Sequence, residues 1–355
     1  MERQFYLSLA ARGLRMPIGT DLVLHEHDDP EAIMRNGRRL GQVMATAARR
    51  YRTPLAVPLM DLRLEKADLL RTLGVAESEV DTFHFSAAPG EESLAKVEAA
   101  MDAPFSQRNQ ANIDSIAYIA QETDLVPVGM AIGPFSLSTK LMADPITPIA
   151  MAGTGLTAEE DSGVLMAERC LALAEMAVSR SIQAQVRAGA KAVIICEPAA
   201  NIVYLSPKQI EAGSDIFERF VMGPDLRLKR RLSDVGADLI FHDCGELTAQ
   251  MVREFANRLD PVILSFGSSR KLWEDAALVP KHVVLYGNLP TKSFYSDAAM
   301  PVEQVSELTN ELTDKMHASG HPHILGSECD VLHVPEAAAT IRRKVEAMLD
   351  STSLR

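Results

Sequence analysis

The chain has 355 residues, 47% of them hydrophobic, and this length and apolar share allow one large domain or two small ones with an ample core. Its formal net charge of −12 at pH 7 argues against nucleic acid or an anionic membrane surface as a partner. Four scattered cysteines, no signal-peptide core and no run of about 18 apolar residues predict a reducing, cytoplasmic setting.

The first third of the chain predicts helices around one short strand. Apolar residues recur at helical spacing over residues 31–50, which predicts a helix there. The run TPLAVPLMDL (residues 53–62) predicts a strand, and LEKADLLRTLG (residues 64–74) predicts a helix that Gly74 stops.

The middle of the chain predicts a helix over residues 108–122, a buried strand with its turn over 124–137, and a long helix over 158–188. That helix leads into AKAVIICEPAA (residues 190–200), where about five residues read as a strand ending at Cys196, Glu197 and Pro198.

The second half alternates regularly between strand and helix. The predicted strands lie in ADLIFHDCG, PVILSFG, HVVLYGN and HILGSEC, and the closing helix in PEAAATIRRKVEAML. Repeated strand-helix units favour parallel strands with right-handed crossovers, hence an α/β fold. In a barrel, the polar residues that end these strands would share one rim, where such enzymes place their active sites.

Two of these strand ends carry metal-binding residue types, in FHDCGE (residues 241–246) and ILGSECD (residues 324–330). Residues i and i+2 of a strand point to the same face, so His242 and Cys244 can grip one ion while Asp243 turns away. Cys329 would complete a set of N and S ligands that suits zinc and leaves a fourth position open. The alternative is two buried structural cysteines and a core histidine.

Four further residues are candidates for this site. Glu197 ends a strand at the predicted rim and is a candidate fourth ligand or proton handler, although it can equally be a loop or helix-capping glutamate. Asn288 is a candidate for hydrogen bonding to substrate, although Gly-Asn is also ordinary turn chemistry. His84 and His333 are candidates for contact with substrate near the rim.

The chain resembles the uroporphyrinogen decarboxylase superfamily from about residue 31 to its end. The segments that carry the resemblance are PLAVPLMDLRLEKADLLRTLGV, GPFSLSTKLMADP, HDCG, LYGNLP and ILGSECDVLHVPE. The nearer match is its zinc-dependent, corrinoid-linked methyltransferase branch. That branch includes methylcobamide:coenzyme M methyltransferases and the substrate-side methyltransferases of bacterial O-demethylases.

The resemblance implies a single (β/α)8 TIM barrel with additional N-terminal helices, so we expect a helical extension over residues 1–50 and the barrel over 51–355. It implies zinc on His242, Cys244 and Cys329, with methyl transfer between a small substrate and the cobalt of a corrinoid (cobalamin). Because no D-x-H-x-x-G signature is present, we expect a separate corrinoid-binding protein to carry the cobalt and to dock over the rim.

Our preferred interpretation is the methyltransferase component of an O-demethylase acting on an aromatic methyl ether. A methylcobamide:thiol methyltransferase, a metal-free uroporphyrinogen-type decarboxylase, a methionine-synthase-like enzyme and a non-catalytic zinc-binding barrel remain alternatives. The segment Met34–Arg38 resembles the arginine-rich motif of the decarboxylases, but we expect it inside an amphipathic helix. The segment DVLHVPEAAATI lacks the Pro-Thr-Pro-x-x-Asn pattern that follows the family's last cysteine.

Overall fold

The structure, a computed structural model, describes residues 1–351. Eight strands form one sheet in which every paired neighbour is parallel. The strands are β1 (Arg15–Ile18), β2 (Leu55–Ala56), β3 (Val126–Ile132), β4 (Ala192–Cys196), β5 (Asp238–Asp243), β6 (Ile263–Phe266), β7 (Val284–Leu289) and β8 (His323–Asp330). With helices between them, they confirm the predicted TIM-barrel-like α/β fold.

Helices precede the first strand and cover the outside of the sheet. They are α1 (Arg3–Ala11), α2 (Thr20–Leu24), α3 (Pro30–Met34), α4 (Gly37–Arg50), α5 (Leu64–Leu73), α6 (Glu91–Ala99), α7 (Gln107–Glu122), α8 (Pro134–Thr139), α9 (Ile146–Gly153), α10 (Ser162–Arg187), α11 (Pro207–Glu211), α12 (Gly223–Asp234), α13 (Ala249–Glu254), α14 (Leu272–Asp275), α15 (Val302–Ser319) and α16 (Ala338–Asp350). Among residues 1–351, no helix has the length and apolar character needed to cross a membrane.

The strand order is β1-β8-β7-β6-β5-β4-β3-β2, so the first two strands lie at the two ends of the hydrogen-bonded sheet. Side chains bridge the seam between these ends. The Thr20 hydroxyl donates to the Val57 carbonyl oxygen at 2.7 Å, and the Thr53 hydroxyl donates to Met16 Sδ at 3.1 Å. The curled sheet thereby encloses an interior.

Alternation along the strands separates two apolar layers. One buried cluster takes residues from all eight strands, including Met16, Leu55, Val128, Ile194, Ile240, Ile263, Val284 and Ile324, and fills the interior. The intervening residues, such as Val193, Leu239, Leu264 and Leu285, belong to a second cluster shared with the helices. Side chains that end the strands on the inner face therefore meet at one mouth.

Helix α1 lies across the opposite mouth, where the strands begin. Arg3 donates to the carbonyl oxygens of Pro261 and His282, and the Tyr6 hydroxyl donates to the Asp238 carboxylate at 2.8 Å. These partners all precede or begin strands β5 to β7. The carboxyl-end mouth is thus the one left for a site, as barrel enzymes arrange it.

The predicted boundary between a helical extension (residues 1–50) and the barrel (residues 51–355) is wrong. β1 lies at Arg15–Ile18 and pairs with β8, with Met16 opposite Gly326. Its sequence, RMPI, is too short to show alternation and contains a proline, which is tolerated at the end of a sheet. The barrel therefore begins inside the first 50 residues.

The prediction of a single helix over residues 31–50 is also wrong, because the helical conformation is interrupted between α3 and α4. Asn36 accepts a hydrogen bond from the Arg39 backbone N–H at 3.1 Å and so caps α4. Arg35 and Arg38 consequently lie at the break, both exposed, and not inside one amphipathic helix. By contrast, Gly74 ends α5 with a left-handed φ of 94°, as predicted.

Candidate metal centre

Three side chains from the two strand-end segments converge at the carboxyl-end mouth of the barrel. The ligand atoms of His242, Cys244 and Cys329 all lie within 4.8 Å of one another. Elsewhere in the described part of the chain, no other group of three His, Cys, Asp or Glu residues meets this criterion. The residues singled out for metal binding are therefore the ones that the fold brings together.

His242 points into the barrel from β5 and is oriented by a neighbour. Its Nδ1 lies 2.8 Å from the Ser265 hydroxyl oxygen, in a buried pair that is in register between β5 and β6. Its Nε2 is buried and has no hydrogen-bond partner among the described residues. When Nδ1–H donates to Ser265, the Nε2 lone pair is the atom left free for a metal.

The two thiols reach this point by different routes. Cys244 directly follows β5, and Gly267 lies so close to it that an added Cβ would stand 2.5 Å from the Cys244 carbonyl oxygen. The orientation of the Cys329 side chain depends on an irregularity in β8. The register of β8 against β1 shifts between Met16 and Ile18. Such a bulge re-aims the side chains that follow it.

The thiols interact electrostatically with each other in the metal-free chain. The neighbouring Cys329 thiol, together with burial, raises the pKa of Cys244 to about 12, and the neighbouring Cys244 thiol lowers the pKa of Cys329. The two thiols therefore lie close enough to affect each other's ionisation. Both cysteines are only half-buried.

The donor set fits a zinc ion. An imidazole nitrogen and two thiolates are ligands that zinc prefers, and three protein ligands leave a position for substrate. The buried, unpartnered Nε2 of His242 supports this fit, because a buried polar atom without a partner costs free energy. Asp243 turns away as predicted and accepts a hydrogen bond from the Gly245 N–H at 2.8 Å.

Glu197, predicted as a fourth ligand, requires a correction. It follows Cys196, which faces the barrel interior, so alternation turns Glu197 outward into the helix layer. Its two carboxylate oxygens accept hydrogen bonds from the backbone N–H groups of Phe135 and Ser136, at 2.9 and 2.8 Å. Glu197 therefore caps α8, and its oxygens are not part of the ligand group.

Glu197 is one of three fully buried carboxyl groups behind the centre. Burial raises the pKa of Glu197 to about 7 and raises the pKa of Asp225 and Asp243 well above the usual range. The negative charge of Glu197 adds to the effect on Asp225. Burial and the neighbouring negative charge thus both disfavour the ionised form of Asp225.

Of the predicted substrate-binding residues, His84 and His333 are not in the ligand group, and Asn288 is held by backbone contacts. Asn288 uses its Nδ2 to donate to the Gly267 and Arg270 carbonyl oxygens, both at 2.8 Å, and thus holds the loop after β6. The His333 ring stacks on His25 with centroids 4.5 Å apart. His84 is exposed in the segment before α6.

Three residues near the centre were not predicted. Cys196 and Ser265 flank His242 in register on β4 and β6, and Met60 Sδ lies 3.6 Å from Cys329 Sγ. A serine inside the apolar run PVILSFG was a usable signal, because a buried hydroxyl needs a partner. Met60 gave no signal, because methionine ordinarily fills core space.

Comparison with known proteins gives one family match and two likenesses to solved structures. Residues 26–350 match the family described as "Uroporphyrinogen decarboxylase (URO-D)". A methyltransferase from Methanosarcina mazei superposes with a TM-score of 0.64 at 17% identity, over 98% of each chain. The 3-keto-D-glucoside 4-epimerase YcjR from E. coli, in its apo form, gives a TM-score of 0.41 at 14% identity over 76% of this chain and 98% of its own.

Among curated proteins, none matches this chain significantly. The likeness to the M. mazei protein, at 17% identity, supports the fold. The family match covers most of the sequence and includes all three ligand residues. The chain therefore belongs to the uroporphyrinogen decarboxylase (URO-D) family.

Proposed function

We propose that the protein is a zinc-dependent methyltransferase that moves a methyl group between a small substrate and the cobalt of a corrinoid bound to a separate protein. The observation that carries this proposal is the convergence of His242, Cys244 and Cys329 at the carboxyl-end mouth. A three-ligand N and S set at that place is typical of a catalytic zinc.

His242, Cys244 and Cys329 would hold the zinc, which would act as a Lewis acid toward the oxygen or sulfur that loses or gains the methyl group. The chain's own residues prepare the site. With the proton on Nδ1, His242 donates to the Ser265 hydroxyl, which would fix the ring with Nε2 toward the thiols. The apolar interior beneath the centre excludes water and lowers the local dielectric constant.

We place the corrinoid protein at the rim because the three candidate ligands lie there. Of the large hydrophobic residues exposed in the described chain, most lie in segments that follow strands β3, β4, β7 and β8, namely Ile146, Met151, Val203, Tyr295 and Leu332. Single exposed apolar side chains are common on protein surfaces and are compatible with docking there. The corrinoid protein would bind there and present its cobalt to the substrate.

For the substrate, we propose an aromatic methyl ether, so that the enzyme would serve an O-demethylase. Methyl transfer to a thiol is the second candidate, favoured by the sulfur-rich surroundings of the centre, where Met60 lies against Cys329. Polarisable sulfur atoms around the centre favour a substrate whose reacting atom is also sulfur. A porphyrin decarboxylase is disfavoured because Arg35 and Arg38 are exposed at a helix break.

The test begins with zinc content, measured by elemental mass spectrometry on the wild type, Cys329→Ala and Cys170→Ala. Cys170 is buried in α10 among core residues and is the matched control. We expect about one zinc per chain in the wild type and the control and a large loss in Cys329→Ala.

Methyl transfer is then assayed with a Co(I) corrinoid, using an aryl methyl ether or, in the reverse sense, a methylcobamide and a thiol. A folded wild type that takes up no zinc on titration would overturn the proposal and favour a metal-free decarboxylase. Zinc uptake without methyl transfer in either assay would favour a non-catalytic zinc-binding barrel.

A further inference from the structure

Met60 lies in the segment between β2 and α5, and its side chain enters the mouth of the barrel. It is partly buried and packs against the apolar cluster that fills the interior. β2 lies at one end of the hydrogen-bonded sheet, and β8 lies next to β1 at the other end, so this side chain reaches Cys329 across the seam. The contact therefore links the segment after β2 to β8, two strands that do not pair with each other in the sheet.

The distance between the two sulfurs is informative. The Cys329 thiol donates a hydrogen bond to Met60 Sδ, and the two sulfur atoms lie 3.6 Å apart. Two sulfur ligands at the usual bond length of about 2.3 Å on one tetrahedral ion are separated by roughly 3.8 Å. The thioether therefore stands, relative to Cys329, at about the separation expected of two ligands that share an ion.

The chemistry of a thioether defines what it would do there. It is a neutral, weak and polarisable donor, so it complements two thiolates and an imidazole without adding charge. Any thiolate or alkoxide is a stronger ligand than a thioether. A thioether in the fourth coordination position of the metal would accordingly exclude water in the resting enzyme. A thiolate or alkoxide of the substrate would displace it.

From this geometry, we propose that Met60 is the fourth, exchangeable ligand of the metal centre, displaced when the substrate's oxygen or sulfur binds. This inference rests on the zinc centre of the proposed function and adds the identity of the group that occupies the substrate's position. The other possible role of Met60 is to fill space at the mouth as a core methionine, and the experiment separates the two.

The experiment uses full-length protein in which all 16 methionines are replaced by selenomethionine, loaded with zinc. X-ray absorption fine structure at the zinc edge gives the type and distance of the atoms around zinc, so a selenium scatterer at bonding distance identifies a methionine ligand. We expect one selenium scatterer in the wild type and its loss on addition of ethanethiol. This measurement needs no substitution and does not depend on how a variant folds.

Two variants assign the signal. Met60→Leu keeps the side-chain volume and should lose the selenium neighbour, whereas Met130→Leu, which changes another methionine of the interior cluster, should retain it. Absence of selenium around fully loaded zinc would overturn the role of Met60 and leave the zinc centre standing. Selenium that persists in saturating ethanethiol would overturn the exchange. A chain that binds no zinc would overturn the proposed function as well.

Discussion

His242 shows at the scale of one residue how a buried ring is prepared for a metal. Nδ1 is 2.8 Å from the Ser265 hydroxyl, while Nε2 is buried without a partner among the described residues. Only the tautomer with the proton on Nδ1 leaves a lone pair directed at the thiols. Ser265 therefore acts through His242, as a positioning residue.

We expect Ser265→Ala to lower zinc affinity by about 10- to 100-fold, the usual effect of losing the partner of a ligating histidine. Competition with a chelator of known affinity measures it. Ser265→Thr, which retains a hydroxyl, should restore most of the affinity. Ser179→Ala is the matched control, because the Ser179 hydroxyl is also buried but has no partner in the described chain. Equal affinities in Ser265→Ala and the control would contradict the positioning role.

The residue pattern predicted part of this centre. His242 and Cys244 follow from the period of a strand, which puts i and i+2 on one face. The same period shows that Glu197 and Cys196 face opposite ways, but it does not show which of the two faces the interior. That choice depends on how β4 sits in the closed sheet, where Cys196 is in register with His242.

Helix α8 illustrates how a short element fixes a side chain at the scale of secondary structure. Its first N–H groups, from Phe135 and Ser136, each donate to one carboxylate oxygen of Glu197. A carboxylate at this position is stabilised by the partial positive charge at the start of a helix. A Cβ at Gly133 would stand 2.0 Å from the Glu197 carboxyl carbon. Glycine is therefore required where the glutamate crosses the chain.

We expect Glu197→Gln to destabilise the fold by about 1–3 kcal/mol and to leave zinc content unchanged. Glutamine offers one acceptor where two backbone N–H groups need one each, so one of them loses its partner. Urea unfolding and elemental analysis measure the two effects. Cys329→Ala should show the opposite pattern in zinc content, and loss of zinc in Glu197→Gln would restore Glu197 as a ligand.

The register of strand β8 against β1 is a feature that its sequence pattern does not predict. Its ladder with β1 runs Arg15 to Leu325 and Met16 to Gly326, and then shifts so that Ile18 pairs with Asp330. Strict alternation from Ile324, which faces the interior, would turn Cys329 outward. The shift brings Cys329 to the inner face, and no residue type in ILGSECD predicts it.

At the scale of the whole molecule, the barrel depends on β1. This strand pairs with β8, and Ile18 accepts a hydrogen bond from the Val331 N–H at 2.7 Å. Met16 and Ile18 also belong to the interior cluster. A segment expected to be an appendage is thus part of the closed core.

Deletion of residues 1–19 should therefore abolish cooperative thermal unfolding, because it exposes the edge of β8 and the interior. Circular dichroism during heating measures this. A chain lacking only residues 1–2, which keeps both α1 and β1, is the control and should unfold like the full chain. If the truncated protein still unfolds cooperatively and binds zinc, residues 1–19 are not needed for the barrel and the prediction is wrong.

The sequence by itself determined the alternation of strands and helices, the parallel α/β class and the pairing of His242 with Cys244. These features are local, since periods of 2 and 3.6 residues are set by backbone geometry. Only the tertiary structure decided that β1 closes the barrel, that Ser265 orients His242, that Glu197 faces α8 and that Met60 meets Cys329. Each depends on strand register or on contact across the seam, and local periodicity carries no information about either.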